Sequence, residues 1–251
     1  MTLPKGFIDI PLAHRALHHV TDGRPENSLA AIRAAIALGY GIEIDVQISK
    51  DGQAMVFHDY DLQRLCGVTG AVCQRTSDEL AELPLIGGDA GVPTLRQVLD
   101  LVDGQVPLLI EIKDQDLRLG TNIGALEAAC AETLVDYSGP VAVMSFNPHS
   151  VALMAHLIPA VPRGLTTCNF VKEDWPLVPA ERREKLATIP DFEDTGTCFV
   201  SHQHNELDSP RIAQLKSQGV PVLCWTIRSP ESEAAARQIA DNITFEGYLP
   251  S

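Results

Sequence analysis

The sequence predicts a single (β/α)8 barrel, an α/β fold, and three observations carry that expectation. Its 251 residues divide into eight units of about 31, the length of one strand–helix unit. Short strand-forming runs alternate with amphipathic helical stretches almost to the end, which implies βαβ units and a parallel sheet. Those runs are apolar throughout rather than alternating, as a sheet covered on both faces requires. No apolar run approaches the roughly 20 residues needed to cross a bilayer. The first six residues read as no secretion leader.

The eight strands are expected at 8–13, 42–47, 107–112, 141–145, 164–167, 198–201, 220–226 and 243–247. Helical patterns fill the intervals, most clearly at 29–38, 95–101, 124–134 and 150–157. Asn27 or Ser28 can cap the first of these, with Gly39 just past its end. Ser209-Pro210 and Ser229-Pro230 each place a capping residue before a proline suited to the first helical position. Lys50-Asp51-Gly52 signals a tight turn that returns the chain as a short strand at 54–58. The whole chain, 1–251, reads as one domain carrying an inserted subdomain at about 60–92, marked by Gly67, Gly70, Gly87, Gly88 and Gly91. The chain stops soon after the eighth strand, so no ordinary last helix covers that strand, and what does so is left open.

Nineteen Lys and Arg stand against 33 Asp and Glu, a net charge of −14 that repels nucleic acid and anionic membrane. Six scattered cysteines with no C-x-x-C pair are expected to be free thiols in a reducing cytoplasm. The Asn242-Ile243-Thr244 sequon lies inside a strand and is expected to be idle.

Catalytic groups of such barrels gather at the C-terminal strand ends. Those ends carry His14-Arg15, Glu43-x-Asp45 and Glu111-x-Lys113, and the return strand ends at His58-Asp59. Residues two apart on a strand share a face, so Glu43, Asp45 and Glu111 converge if both strands turn them inward. Three carboxylates at one point repel unless neutralised. A hard divalent cation does this, Mg2+ or Ca2+ in preference to zinc because no cysteine joins the set. The alternative is a buried ion-pair network with Arg15 and Lys113. His14 and His58 flank the cluster, and two imidazoles titrating near neutrality suit proton transfer to and from a reacting group. Arg15 and Lys113 suit phosphate oxygens.

The strings Ala13-His14-Arg15, Pro25-Glu26-Asn27-Ser28, Glu43-Ile44-Asp45-Val46, Lys50-Asp51-Gly52 and Val56-Phe57-His58-Asp59 together resemble the glycerophosphodiester phosphodiesterase family. Leu62-x-Arg64, Val92-Pro93-Thr94-Leu95, Ile110-Glu111-Ile112-Lys113, Ser145-Phe146 and Trp225-Thr226 continue the match in order. The resemblance implies a TIM barrel that hydrolyses small-molecule glycerophosphodiesters to glycerol 3-phosphate and an alcohol. It implies Glu43, Asp45 and Glu111 as ligands of one divalent cation, Mg2+ or Ca2+ with Mn2+ also admitted, and His14 and His58 as the acid–base pair. Arg15 and Lys113 would contact phosphate, and Glu26 and Asn27 would support the site from the first βα loop, Asn27 being open to a capping role instead. Trp225, at the seventh strand end, could wall the substrate pocket or serve simple barrel packing.

Three segments depart from the family pattern: Leu65-Cys66-Gly67, residues 168–196, and Ile243-Thr244-Phe245-Glu246-Gly247-Tyr248 at the C-terminus. All three are expected around the substrate mouth. Lysophospholipid hydrolysis by the same chemistry is a competing reading, with Leu83, Leu85 and Ile86 as an acyl groove. Schiff-base chemistry on Lys113 and a catalytically silent binding barrel are others. His202-Gln203-His204 offers a possible two-imidazole metal site, set below a substrate-loop role.

Overall fold

Eight parallel strands close into a barrel in the computed structural model, which describes residues 1–250. They are β1 (Leu12–Ala13), β2 (Gly41–Ile48), β4 (Leu108–Ile112), β5 (Val141–Ser145), β6 (Arg163–Thr167), β7 (Phe199–Gln203), β8 (Val222–Ile227) and β9 (Asn242–Phe245). The ninth strand, β3 (Ala54–Val56), pairs antiparallel to β2 as the outer arm of a hairpin. Closure runs through β1, whose two residues pair with β2 on one side and β9 on the other. The (β/α)8 expectation therefore holds.

Helices Leu29–Leu38, Leu95–Val102, Ala125–Leu134 and Pro148–Leu157 form where the periodicity placed them. The cap of the first is Ser28, whose Oγ accepts from Ala31 N, and Gly39 ends it in the left-handed conformation at φ 73°. Ser209 and Ser229 cap their helices in the same way, each with proline at the first position. Alternate strand residues pack outward on these helices in one large apolar core that includes Ile42, Ile44, Val46, Leu108, Ile110 and Val143.

The N-terminus differs from expectation. Residues 8–13 do not form one strand: Gly6–Asp9 is a helical turn, and only Leu12–Ala13 pairs in the sheet. The reason is a contact far away in sequence. Phe7, fully buried, joins Leu3, Leu12, Leu109, Ala142, Met144, Phe199 and Leu223 inside the barrel, so the turn plugs its lower end. The buried Asn242 side chain donates to Phe7 O and Ile10 O and ties the plug to β9. That burial leaves the Asn242 amide of the sequon no access to solvent. Gly164 makes room for the plug layer, since a Cβ there would lie 2.3 Å from the Phe199 ring.

The outer face of β9 is covered by aromatics instead of a helix. Phe245 meets Tyr40 at 4.9 Å and Tyr248 at 5.8 Å between ring centroids, and the Tyr40 hydroxyl donates to Pro250 O at 2.7 Å. Between β3 and the helix Leu95–Val102, the chain packs Phe57, Leu62, Leu65, Val72, Leu80 and Leu85 into a small core of its own. Leu65 and Leu85 are therefore spent on that core, and Leu65-Cys66-Gly67 does not reach the substrate mouth. All six cysteines are free, and among the described residues no helix is long and apolar enough to cross a membrane.

Phe7→Ala is expected to lower stability by about 3–5 kcal/mol in urea titration, the usual loss for a fully buried aromatic ring. A loss below about 1 kcal/mol would show that the turn does not plug the barrel.

Candidate active site

β2 departs from the continuous apolar pattern expected of these strands and alternates strictly, because its inner face lines the site: Ile42, Ile44 and Val46 face the helices while Glu43 and Asp45 turn into the barrel. β4 pairs with β2 in a register that sets Asp45 beside Glu111. The three buried carboxylates each bring an oxygen to within 4.8 Å of the other two. Lys113, one alternation beyond Glu111, places Nζ 2.7 Å from Asp45 Oδ1 and 2.6 Å from Glu111 Oε1. Just past β1, the Arg15 backbone N–H donates to Glu43 Oε2, and its guanidinium Nε lies 3.6 Å from Asp45 Oδ2. Asn27, itself buried at φ 57°, donates from its side chain to Asp45 Oδ2 at 2.9 Å.

Burial raises the Glu43 carboxyl well above the usual carboxylate range, and the charges of Asp45 and Glu111 push the same way. Burial would raise Asp45 too, but Lys113, His58 and Arg15 together outweigh it and hold that carboxyl far below its ordinary value. For Lys113, burial pulls downward and is overcome by Asp45 and Glu111, so the side chain stays an ammonium. A Schiff-base role needs the free amine, so that reading is not favoured.

Both histidines reach the same cavity of about 710 Å3 as the carboxylates, Arg15 and Lys113. His14 Nδ1 lies 2.6 Å from Glu246 Oε2, and His58 Nδ1 lies 2.7 Å from Asp59 Oδ1. Burial lowers the His14 pKa, against the opposing pull of the Glu246 bond. Gln47, the next inward residue of β2, donates to the His58 and Asp59 carbonyls and fixes that turn. Asp59 accepts from Arg64 Nε and Nη2, and Arg64 also donates to Glu26, which in turn accepts from Arg15. Glu26 and Asn27 thus stand behind the cavity wall, reaching the site through Arg15 and Asp45.

The opposite wall is aromatic. Trp225 and Phe146 lie 5.5 Å apart, and Trp175, from the long β6–β7 connection, lies 4.8 Å from Phe146. Trp225 spends its Nε1–H on Ser201 O. Of residues 168–196, Cys168 and Asp174 to Leu177 line the cavity, whereas Leu83, Leu85 and Ile86 line no part of it, which leaves the acyl groove without its residues. His202 and His204 do not face together: β7 ends at Gln203 and a 3-10 turn follows. His202 is buried against Thr167 and Glu206 O, and burial brings its pKa down to about 4, while His204 lines the cavity.

Sequence reasoning overlooked Glu246, Arg64 and Arg228 as parts of this site. Arg64 carried a signal in the Leu62-x-Arg64 string. Glu246 stood in a segment assigned to the mouth, yet it touches His14.

The Glu43 result sets a sign for pH. A carboxyl raised on folding stabilises the protein below its unfolded pKa, and that contribution is lost as pH rises through the folded value. In chelator, wild-type thermal stability is expected to fall relative to Glu43→Gln as pH climbs from about 4.5. Parallel melting curves for the two proteins between pH 5 and 8 would contradict a strained acid cluster.

A model of the glycerophosphoryl diester phosphodiesterase family matches residues 14–243. A glycerophosphodiester phosphodiesterase of Caldanaerobacter subterraneus is 29% identical over 236 residues, covering 87% of this chain and 87% of its own. An Oleispira antarctica phosphodiesterase, solved with the product sn-glycerol-3-phosphate, superposes with a TM-score of 0.75 at 23% identity, covering 97% of this chain and 93% of its own. The glycerophosphodiester phosphodiesterase of Thermotoga maritima superposes with a TM-score of 0.70 at 22% identity, with 94% of each chain covered. With its cluster at the barrel mouth and this match over nearly its whole length, the chain belongs to the glycerophosphoryl diester phosphodiesterase family of phosphoric diester hydrolases.

Proposed function

We propose that the chain hydrolyses glycerophosphodiesters to glycerol 3-phosphate and an alcohol, using one divalent cation held by Glu43, Asp45 and Glu111. The observation that carries this reading is the meeting of the buried Glu43, Asp45 and Glu111 carboxylates with His14, His58, Arg15 and Lys113 in one cavity. The product bound in the Oleispira structure supports a glycerophosphodiester as the substrate.

The donor set fits a hard cation. All three ligands are carboxylate oxygens, which suit Mg2+ or Ca2+, and Mn2+, better than zinc. The raised Glu43 acid adds to the fit, because a buried carboxyl short of counter-charge is relieved by a cation beside it. When bound, the cation supplies positive charge at the phosphate and favours attack at phosphorus. Lys113 now neutralises Asp45 and Glu111, and with a cation in that role its ammonium is free to hold a phosphate oxygen. Arg15 offers a planar fork to another, steadied by Glu26. These cations also resolve an electrostatic problem, since an anionic substrate must enter a protein of net charge −14.

His14 and His58 divide the proton transfers. One takes the proton of the nucleophile, which is water or the neighbouring glycerol hydroxyl (the latter giving a cyclic phosphate that water then opens), and the other gives its proton to the departing alkoxide. Trp225 and its aromatic neighbours wall the cavity away from the carboxylates, on the side left for carbon-bearing parts of the substrate.

Incubation of the purified protein with glycerophosphocholine is expected to release glycerol 3-phosphate and choline. Chelator should stop the release, and Mg2+, Ca2+ or Mn2+ should restore it. His14→Ala and His58→Ala should each lower kcat on the order of 10² to 10⁴-fold. Release of glycerol and phosphocholine, or full activity in chelator, would overturn the reading.

A further inference from the structure

We infer that Glu246 is a positioning residue for His14, holding the imidazole in the tautomer that carries its proton on Nδ1 and turns Nε2 toward the substrate. The inference rests on the proposed role of His14 and adds the group that orients it.

Glu246 is the first residue past β9, and its backbone N–H donates to Ile227 O at 2.9 Å, which fixes the residue against the end of β8. The His14 backbone N–H donates to Phe245 O at 2.8 Å, so the two segments are laced together directly beneath the side chains. Within that frame Glu246 Oε2 lies 2.6 Å from His14 Nδ1, and Oε1 accepts from Arg228 Nε at 2.7 Å. His18 Nε2 stands 3.7 Å from Oε2, too far for a hydrogen bond but near enough to favour the ionised acid. The carboxylate is thus held by its own backbone and by a guanidinium, and it presents one oxygen to the imidazole.

The tautomer follows from donor and acceptor chemistry. An ionised carboxylate only accepts, so the ring nitrogen facing it must carry the proton, and the other nitrogen of a neutral imidazole is left with a lone pair. The same bond stops ring rotation. Without it, a neutral His14 would divide between two tautomers and several ring orientations, and only part of that population could exchange a proton with substrate. His58 has a comparable partner in Asp59, its sequence neighbour. The partner of His14 instead comes from the opposite end of the chain, in a segment that departs from the family pattern.

A double-mutant cycle on glycerophosphocholine hydrolysis tests this, using wild type, Glu246→Ala, His14→Ala and the double variant, with melting curves for each. Glu246→Ala is expected to lower kcat on the order of 10 to 10²-fold, with KM changed by less than about threefold. In the His14→Ala background it should cost nothing further. Histidine ring 15N–1H correlation spectra, with the His14 signal identified by its loss in His14→Ala, should show an Nδ1-protonated ring in wild type and a tautomer mixture in Glu246→Ala. Glu246→Gln keeps the shape and guards against a folding defect; with its single amide oxygen taken by Arg228 it turns an NH2 donor toward His14, which favours the wrong tautomer, so it should also lose activity. Equal losses from Glu246→Ala in both backgrounds, or full activity in Glu246→Ala or Glu246→Gln, would overturn the inference. If His14→Ala itself stays fully active, the proposed role of His14 fails instead.

Discussion

Mutual repulsion among three acids is the constraint around which the site is arranged. Glu43, Asp45 and Glu111 are buried, and each brings an oxygen within 4.8 Å of the others. Acids this close inside a protein are costly unless positive charge joins them. Lys113 supplies part of it to Asp45 and Glu111, and Arg15 lies near Asp45. Glu43 accepts a single hydrogen bond, from the Arg15 backbone N–H, and with the Lys113 charge this does not offset burial and the neighbouring acids, so its carboxyl stays well above the ordinary range. The protein side chains alone therefore leave the cluster under-compensated, and an oxygen-seeking cation held there would complete the balance.

The barrel supplies the geometry that makes such a cluster possible. Strict alternation on β2 and β4 sends apolar residues to the helices and acids to the axis, so one strand pattern builds both core and site. The plug around Phe7 closes the lower end, which leaves the upper end as the place where polar side chains can meet solvent and ligand. Arg64 and Glu26 behind the cavity, with Asp59 at its wall, link Arg15 to His58 through continuous hydrogen bonds. Arg15 and His58 are therefore held by one shared network, and movement of either is opposed by the other.

Much of this was legible in the sequence, for local reasons. Glu43-x-Asp45 and Glu111-x-Lys113 carry the period of a strand, so their common orientation follows from covalent geometry alone. Helix caps such as Ser28 and Ser209 are likewise decided within four residues. What escaped depends on distant contacts. Residues 8–13 have strand-like character, yet the preceding turn is set by the hole that Phe199, Leu223 and Leu109 leave for Phe7. Tyr40 covers β9 from about 200 positions away, which no spacing rule encodes. The bond between His14 and Glu246 spans 232 positions, so no local pattern linked the two before the barrel closed. His202-Gln203-His204 misled because its alternation stops where β7 ends.

The most direct test of the central claim is anomalous scattering from crystals grown with Mn2+. One strong peak is expected among Glu43, Asp45 and Glu111, with the Lys113 ammonium moved off at least one of the carboxylates it now contacts. No peak at saturating Mn2+, or a peak elsewhere in an active enzyme, would contradict the claim that these acids are assembled to hold a cation.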